Sequence, residues 1–298
     1  MSMRVSSTQI INNSLLGIQQ SYSQLNTAQS QLDTGLQLQQ PSDNPAGTQQ
    51  VLDFQERVAE ITQYSKNIDS AKGFLSTIDS ALGTVSNLTQ QARSLVVQGA
   101  TGTVDQTTQS ALATQLGTII KQIASVGNTT YGAQYVFSGQ RTNTAPLQSG
   151  ASGYTYAGGT AATGDAALNY QIGRNQTVQV NVTGDQVFVP LLNTLTKAQN
   201  DIAGGSTVAA SADLAQIDTQ LTTVLNAQGD AGSKVNLLTQ TQQSQALSQQ
   251  NYTKDISNIE DANLPKTIVA LQTAQTAYTA ALTATSRTFQ NSLLDFLK

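Results

Sequence analysis

The chain has 298 residues, 11% of them charged, with a net charge of −4 and no Cys, His or Trp. Without Cys there is no disulfide, thiolate nucleophile or zinc-thiolate site, and without His there is no imidazole base. A sequence pI near 4.7 argues against a nucleic-acid partner, whose phosphate backbone selects basic surfaces.

An average soluble protein carries roughly 25% charged residues. Here Gln, Ser, Thr, Asn and Ala fill the gap, and aromatics make up only 5%. Helix-on-helix packing over long distances is therefore expected rather than a deep globular core. The length predicts two or three domains. No apolar run is long enough to span a bilayer, so no membrane partner is expected. Met1 to Ile10 lacks the basic-then-apolar pattern of a signal peptide, so export is expected to use a route without signal cleavage.

The first predicted helix carries apolar residues at Ile11, Leu15, Ile18, Tyr22, Leu25, Leu32 and Leu36, with Gln29 interrupting the series. Steps of three and four predict a coiled-coil seam. Only Arg4 and Asp33 are charged in the first forty residues. A surface helix ordinarily keeps a charged face towards water, so this one is expected to be surrounded by polar neighbours in a dense assembly.

Pro41 to Pro45 (Pro-Ser-Asp-Asn-Pro) breaks that helix, because proline fixes φ and disfavours helix in the residue before it. Asn44 is the predicted N-cap of the next helix, with Pro45 in its first turn. That second helix runs through Phe54, Val58, Ile61, Tyr64, Ile68, Leu75, Ile78, Leu82, Val85 and Leu95 and ends at Gly99 to Thr103. At 1.5 Å per residue it would be a rod about 75 Å long. A third helix follows through Leu112, Leu116, Ile119, Ile123 and Val126.

Between Arg141 and Pro190 the helical period disappears and Gly becomes frequent. Tyr154 to Tyr156, Leu168 to Ile172, Thr177 to Val182 and Gln186 to Val189 alternate apolar with polar residues, which predicts strands of a small β-domain. Helix resumes at Leu191 and ends at Gly204-Gly205. Another is expected to stop at Gly229, and a further one to run from Ala231 to Asp261. Asn263 then caps a last seam at Leu264, Ile268, Leu271, Tyr278, Leu282, Phe289, Leu293 and Phe296.

The expected fold is mainly α: a long antiparallel coiled-coil rod built from both termini, with a small inserted β-domain. The expected division has three parts. Residues 1–44 and 263–298 form an inner terminal coiled coil, 45–140 and 191–262 a helical rod, and 141–190 an outer β-rich insert. The residues expected to carry coiled-coil and inter-subunit packing are Ile11, Leu15, Ile18, Tyr22, Leu25, Leu32, Leu36, Ile268, Leu271, Tyr278, Leu282, Phe289, Leu293 and Phe296.

No constellation for catalysis stands out. A Ser-His-Asp triad is impossible without His, and no Ser precedes a Lys at the Ser-x-x-Lys spacing. Gly159 to Gly164 has the length of a phosphate loop, but Asp165 occupies the position that needs Lys. Asp53, Glu56 and Glu60 share one helix face, and Asp255, Glu260 and Asp261 cluster. On long exposed helices such carboxylates are ordinarily solvated charges. No catalytic residue, cofactor or metal ligand is assigned.

Several segments resemble the flagellin superfamily. They are Ser42 to Gly47 (Ser-Asp-Asn-Pro-Ala-Gly), Asn67 to Ala71 (Asn-Ile-Asp-Ser-Ala), Ala92 to Gln98 (Ala-Arg-Ser-Leu-Val-Val-Gln) and Ile259 to Pro265 (Ile-Glu-Asp-Ala-Asn-Leu-Pro). Arg4 to Ile10, the Phe137-Ser-Gly-Gln-Arg run and Ser292 to Leu297 resemble, within that superfamily, the hook-filament junction proteins. The resemblance implies a non-enzymatic structural subunit of the bacterial flagellum, extracellular and exported by the flagellar type III route. It implies partners as well: further copies of itself, a hook-side junction protein, flagellin and an export chaperone. A filament flagellin is the alternative within the same class. A secreted adhesin or enzyme on a helical stalk, active through the 141–190 insert, is the alternative outside it.

Overall fold

The structure is a computed structural model that describes the backbone of residues 2–101, 104–150 and 153–296; the side chains of residues 2–8, 10 and 288–296 lie outside the described set. The fold is mainly α. Six helices, α1 (Ser2–Thr34), α2 (Pro45–Gly99), α3 (Gln106–Gly127), α4 (Gly184–Ala203), α5 (Thr207–Glu260) and α6 (Leu264–Phe296), enclose three short hairpins in chain order. The hairpins pair β1 (Thr130–Tyr131) with β2 (Gln134–Tyr135), β3 (Leu147–Gly150) with β4 (Gly153–Tyr156), and β5 (Asn169–Gly173) with β6 (Gln176–Gln179), all antiparallel. The chain packs as two compact units: Met1–Ala59 with Ser248–Lys298, and Glu60–Leu247.

In the first unit α1 and α6 pair along their length. Leu36 bridges Asp261 in antiparallel sense, and the rings of Tyr22 and Tyr278 lie 5.7 Å apart. As the number falls along α1 it rises along α6, so the two run antiparallel. Both predicted caps are present. Gly47 N–H donates to Asn44 Oδ1 at 2.9 Å, and Lys266 N–H donates to Asn263 Oδ1 at 3.2 Å. Phe54 stacks on Tyr252 with centroids 5.6 Å apart.

In this unit one boundary differs from expectation. Helix α1 ends at Thr34, before the prolines, because Gly35 takes φ +72° and closes the last turn on Gln31 O at 3.0 Å. A left-handed glycine terminates a helix at little steric cost. Leu36 therefore lies beyond the helix, and there Gln37 N–H donates to Glu260 O and Ala262 N–H to Gly35 O.

The second unit holds the main core. Ile68, Phe74, Leu75, Ile78, Leu82 and Val85 of α2 are fully buried with Leu116 and Ile123 of α3 and Leu191, Leu192 and Leu195 of α4. Helix α5 adds Ala210, Ile217, Val224, Ala231 and Leu238, each fully buried and each seven residues from the next. This heptad runs straight through Gly229, where a stop was expected. Gly229 and Gly232 lie off the seam, are absent from the glycines with positive φ, and have no neighbour within 4 Å of an added Cβ. Tertiary packing of the seam outweighs the roughly 1 kcal/mol that a mid-helix glycine costs relative to alanine. Gly229→Ala together with Gly232→Ala should therefore stabilise the protein by about 1–2 kcal/mol. Chemical denaturation followed by circular dichroism checks this, and a lower midpoint would show that α5 uses these glycines to bend.

Strand expectations hold for Tyr154 to Tyr156 and for most of the pair around Ile172 and Val178. They fail for Gln186 to Val189, which lies in α4. Four alternating residues cannot separate strand from helix, and the burial of Val187, Phe188, Leu191, Leu192 and Leu195 follows helical spacing. The unexpected feature is Pro190 inside α4. It removes one backbone donor, an omission that the apolar burial around it offsets. In the α4–α5 corner, Lys197 Nζ binds Asp201 at 2.7 Å and Asp213 at 2.6 Å. Burial pushes the Asp213 carboxyl above its usual range, while Lys197 opposes that shift.

Candidate functional site

Two surfaces carry the residues singled out in the sequence: the α1–α6 pair and the turn that contains Phe137-Ser-Gly.

On α1, the side that faces α6 is Ile11, Ser14, Ile18, Ser21, Leu25, Ala28 and Leu32, each buried or half-buried. On α6 it is Thr267, Leu271, Ala274, Tyr278, Ala281 and Thr285. Both sets step by three and four, as a heptad requires. In each, large residues alternate with Ser, Ala or Thr. Small side chains let two antiparallel helices approach closely.

The sequence-predicted residues divide between two faces. Ile11, Ile18, Leu25, Leu32, Leu271 and Tyr278 belong to the paired seam. Tyr22 stands at its rim, 51% exposed with its ring against that of Tyr278, while Leu15 is 53% exposed and Ile268 and Leu282 are exposed with it. Gln29 and Gln275 are exposed as well. Leu36 sits in the loop bridge. The side chains of Phe289, Leu293 and Phe296 lie outside the described residues. Within the single chain these residues thus divide into a closed seam and an open edge. Leu16 and Val269, each 62% exposed, follow Leu15 and Ile268 directly and so project to other sides of their helices. The signal for Ser14, Ser21, Ala28 and Ala274 was their spacing, which matches the seam as well as the larger residues do.

The Phe137-Ser-Gly turn is a knot of local bonds. Phe137 is fully buried, and its ring meets Phe188 edge-on at 4.7 Å. Ser138 Oγ donates to Tyr135 O at 2.9 Å. Gly139 takes φ +66°, and a Cβ there would lie 2.7 Å from Asp165 O, so no larger residue fits. Gln140 N–H donates to Asp165 O at 2.8 Å. Arg141 Nε pairs with Asp165 Oδ2 at 2.5 Å. Thr163 and Arg141, in that order, hold the Asp165 carboxyl below its usual range. Tyr156 Oη donates to Phe137 O at 2.9 Å. Asp165, which rules out a phosphate loop by its identity, is the anchor of this knot.

Two other motif residues pin elements of the second unit together. Asn67 Nδ2 donates to Gln171 O at 2.8 Å, fastening the β5–β6 hairpin to α2. The same hairpin is held by Arg174 on Glu60 at 3.1 Å and by Gln245 Nε2 on Ile172 O at 2.5 Å. Arg93 forms a two-pronged pair with Asp218 of α5 at 2.6 and 3.2 Å.

Three of the six carboxylates weighed as chemistry are engaged in such contacts. Glu60 holds Arg174, Asp53 accepts from Gln49, and Asp261 accepts from Ser257. Among the described residues there is no group of three or more potential metal ligands and no helix long and apolar enough to cross a membrane.

Residues 5–142 match the family model described as the bacterial flagellin N-terminal helical region. The chain also resembles flagellar hook-associated protein 3 of Salmonella typhimurium, at 26% identity over 62% of this chain and 57% of that protein. The Escherichia coli protein of the same name is 25% identical over the same shares. The chain thus matches a little over half the length of these curated relatives. Among solved structures, a putative flagellar hook-associated protein from Vibrio parahaemolyticus superposes with a TM-score of 0.66 at 22% identity. It covers 74% of this chain and 100% of that one. The flagellar junction protein FlgL from Legionella pneumophila gives 0.57 at 16% identity, over 71% of this chain and 100% of that one. These likenesses show that the fold is shared with those two proteins. They agree with the helical termini and the hairpin-bearing middle described above.

Proposed function

We propose that this chain is a non-enzymatic structural subunit of the bacterial flagellum that forms the junction between hook and filament. The observation that carries the reading is the exposed apolar surface of the α1–α6 pair: an edge at Leu15, Tyr22, Ile268 and Leu282, with Leu16 and Val269 exposed on other sides of the same helices. A helix pair that leaves such a surface uncovered is built to be covered by neighbours. The named relatives supply the place: hook-associated protein 3 and a flagellar junction protein.

In this reading 1–44 with 263–298 line the inside of the tube, 45–140 with 191–262 form its wall, and 141–190 faces outward. The partners are further copies of the chain, the hook-side junction protein and the first flagellin subunits. An export chaperone and the flagellar type III channel bring it there. The filament-flagellin alternative is disfavoured by the Phe137-Ser-Gly-Gln-Arg run, which resembles the junction proteins, and by the curated relatives, both named flagellar hook-associated protein 3.

Labelling with an antibody on intact flagella tests the assignment. A spot at the hook-filament boundary is expected, with flagellin shed into the medium when the chain is deleted. Label running along the filament would overturn the junction reading in favour of flagellin.

A further inference from the structure

Among the described residues, Asp213 of α5 is the one charged residue that is fully buried. Its side chain is 3% exposed. Lys197 Nζ donates to Asp213 Oδ1 at 2.6 Å, and Oδ2 is buried without a hydrogen-bond partner. The same ammonium donates to Asp201 Oδ2 at 2.7 Å. Two carboxylates therefore share one lysine. With both ionised, the α4–α5 corner holds one negative charge in excess, part of it on an oxygen cut off from water and from any donor. An ionised carboxylate offers about four acceptor positions, and burying it with most of them empty is costly.

The charges that act on Asp213 come from α4, as Lys197 and Asp201. Five residues on along α5, Asp218 is paired with Arg93 of α2. Asp105, at the start of α3, accepts from Thr108 N–H at 3.2 Å. Each of these has its own donor.

We propose that Asp213 and Asp201 share a proton, and that this proton clasps the first turns of α5 to α4. With the proton on Asp213 the corner is neutral: Lys197 balances Asp201, and the Asp213 O–H donates to the Asp201 carboxylate. When the proton passes to solvent, Lys197 is left between two carboxylates, one of them buried. The corner then opens more often, because opening returns Asp213 to water. The surroundings decide which carboxyl holds the proton. Burial pushes Asp213 up and Asp201 adds to that shift, while Lys197 opposes it. Lys197 in turn holds Asp201 below its usual range. Neighbouring carboxyls pushed in opposite directions take opposite roles.

The sign follows from linkage. A carboxyl whose folded pKa lies above its unfolded value stabilises the fold fully below the unfolded pKa, and that contribution is lost as pH rises through the folded one. Asp165, Asp201 and Asp218 are all held below the usual range and contribute in the opposite sense. Global stability mixes both trends, so the clasp is read at the corner itself.

Two measurements on the full-length protein do so. Carbon-13 resonances of the aspartate carboxyls are followed from about pH 3 to about pH 8, around the ordinary aspartate pKa of about 3.9. Asp213 should titrate above that value, and in Asp201→Asn its midpoint should fall. Amide exchange from Ala209 to Ile217, corrected for the intrinsic rate, is then compared between wild type and Asp213→Asn, whose neutral side chain keeps a donor for Asp201. Between about pH 5 and about pH 7.5, wild-type exchange should rise at least about three-fold relative to the variant, one pKa unit being ten-fold in the equilibrium. Asp213 titrating in the ordinary range would overturn the clasp, as would a wild-type-to-variant ratio that stays flat with pH. An unmoved midpoint in Asp201→Asn would overturn the shared proton. If Asp213→Asn fails to fold, the wild-type titration decides alone.

Discussion

Phe188→Ala should destabilise the Glu60–Leu247 unit by about 3–5 kcal/mol, the range for truncating a fully buried phenylalanine. Phe188 has no exposed surface and meets Phe137 edge-on, with centroids 4.7 Å apart. Such an aromatic pair adds about 0.5–1.5 kcal/mol beyond area burial. The cavity left behind cannot close easily. Its walls are α3 at Gly127, where an added Cβ would already lie 2.2 Å from Leu147 Cδ1 and 2.9 Å from Phe188 Cδ1, and the bonded turn after Phe137. That crowding supplies an internal check. Gly127→Ala alone overpacks the site, but combined with Phe188→Ala it should cost less than the two separately, because the new methyl occupies released space. Urea titration of the four proteins measures the cycle. A loss under about 1 kcal/mol for Phe188→Ala would mean that the turn repacks, and the Phe137-Ser-Gly knot would lose its structural role.

The parts of this fold legible in the sequence are those that local chemistry determines. Asn44 and Asn263 announce their helices because a short amide side chain can reach the free N–H groups of the first turn, and both do so. Gly204-Gly205 ends α4 as expected, with Gly205 at φ +74°. Gly229 misled because propensity is a weak prior. The buried heptad from Ala210 to Leu238 passes beside it, and that pattern becomes visible only when Ala is accepted as a core residue. In the terminal seam the small residues are easy to pass over for the same reason. Large residues drew the stripe through Leu15 and Tyr22, while the pair closes on Ser14, Ser21, Ala28 and Ala274. The Phe137-Ser-Gly run carried its signal as a resemblance. Its purpose was hidden because Asp165 and Phe188, which explain it, lie 24 residues beyond Arg141 and 51 beyond Phe137 in the numbering.

Leu15→Asp combined with Leu16→Asp should abolish assembly while leaving the α1–α6 pair formed. Both side chains are more than half exposed in the single chain, so neither charge is buried within it, and the helix-propensity cost is under about 1 kcal/mol. In a layer whose subunits cover one another's stripes the balance reverses. Each leucine stabilises a contact by roughly 1.5–3 kcal/mol when fully buried, and an uncompensated aspartate in its place carries a desolvation penalty of several kcal/mol. The loss repeats at every subunit, so filaments per cell should fall at least ten-fold and flagellin should appear in the culture supernatant. Ile18→Asp is the contrasting variant. Ile18 faces α6 between Ser14 and Ser21, so its replacement should open the pair itself and lower the helical signal of the purified chain. Electron microscopy counts the filaments and circular dichroism reads the fold. Normal filament numbers with both aspartates in place would show that the open stripe stays in water, and the junction would then have to be held by surfaces in the Glu60–Leu247 unit.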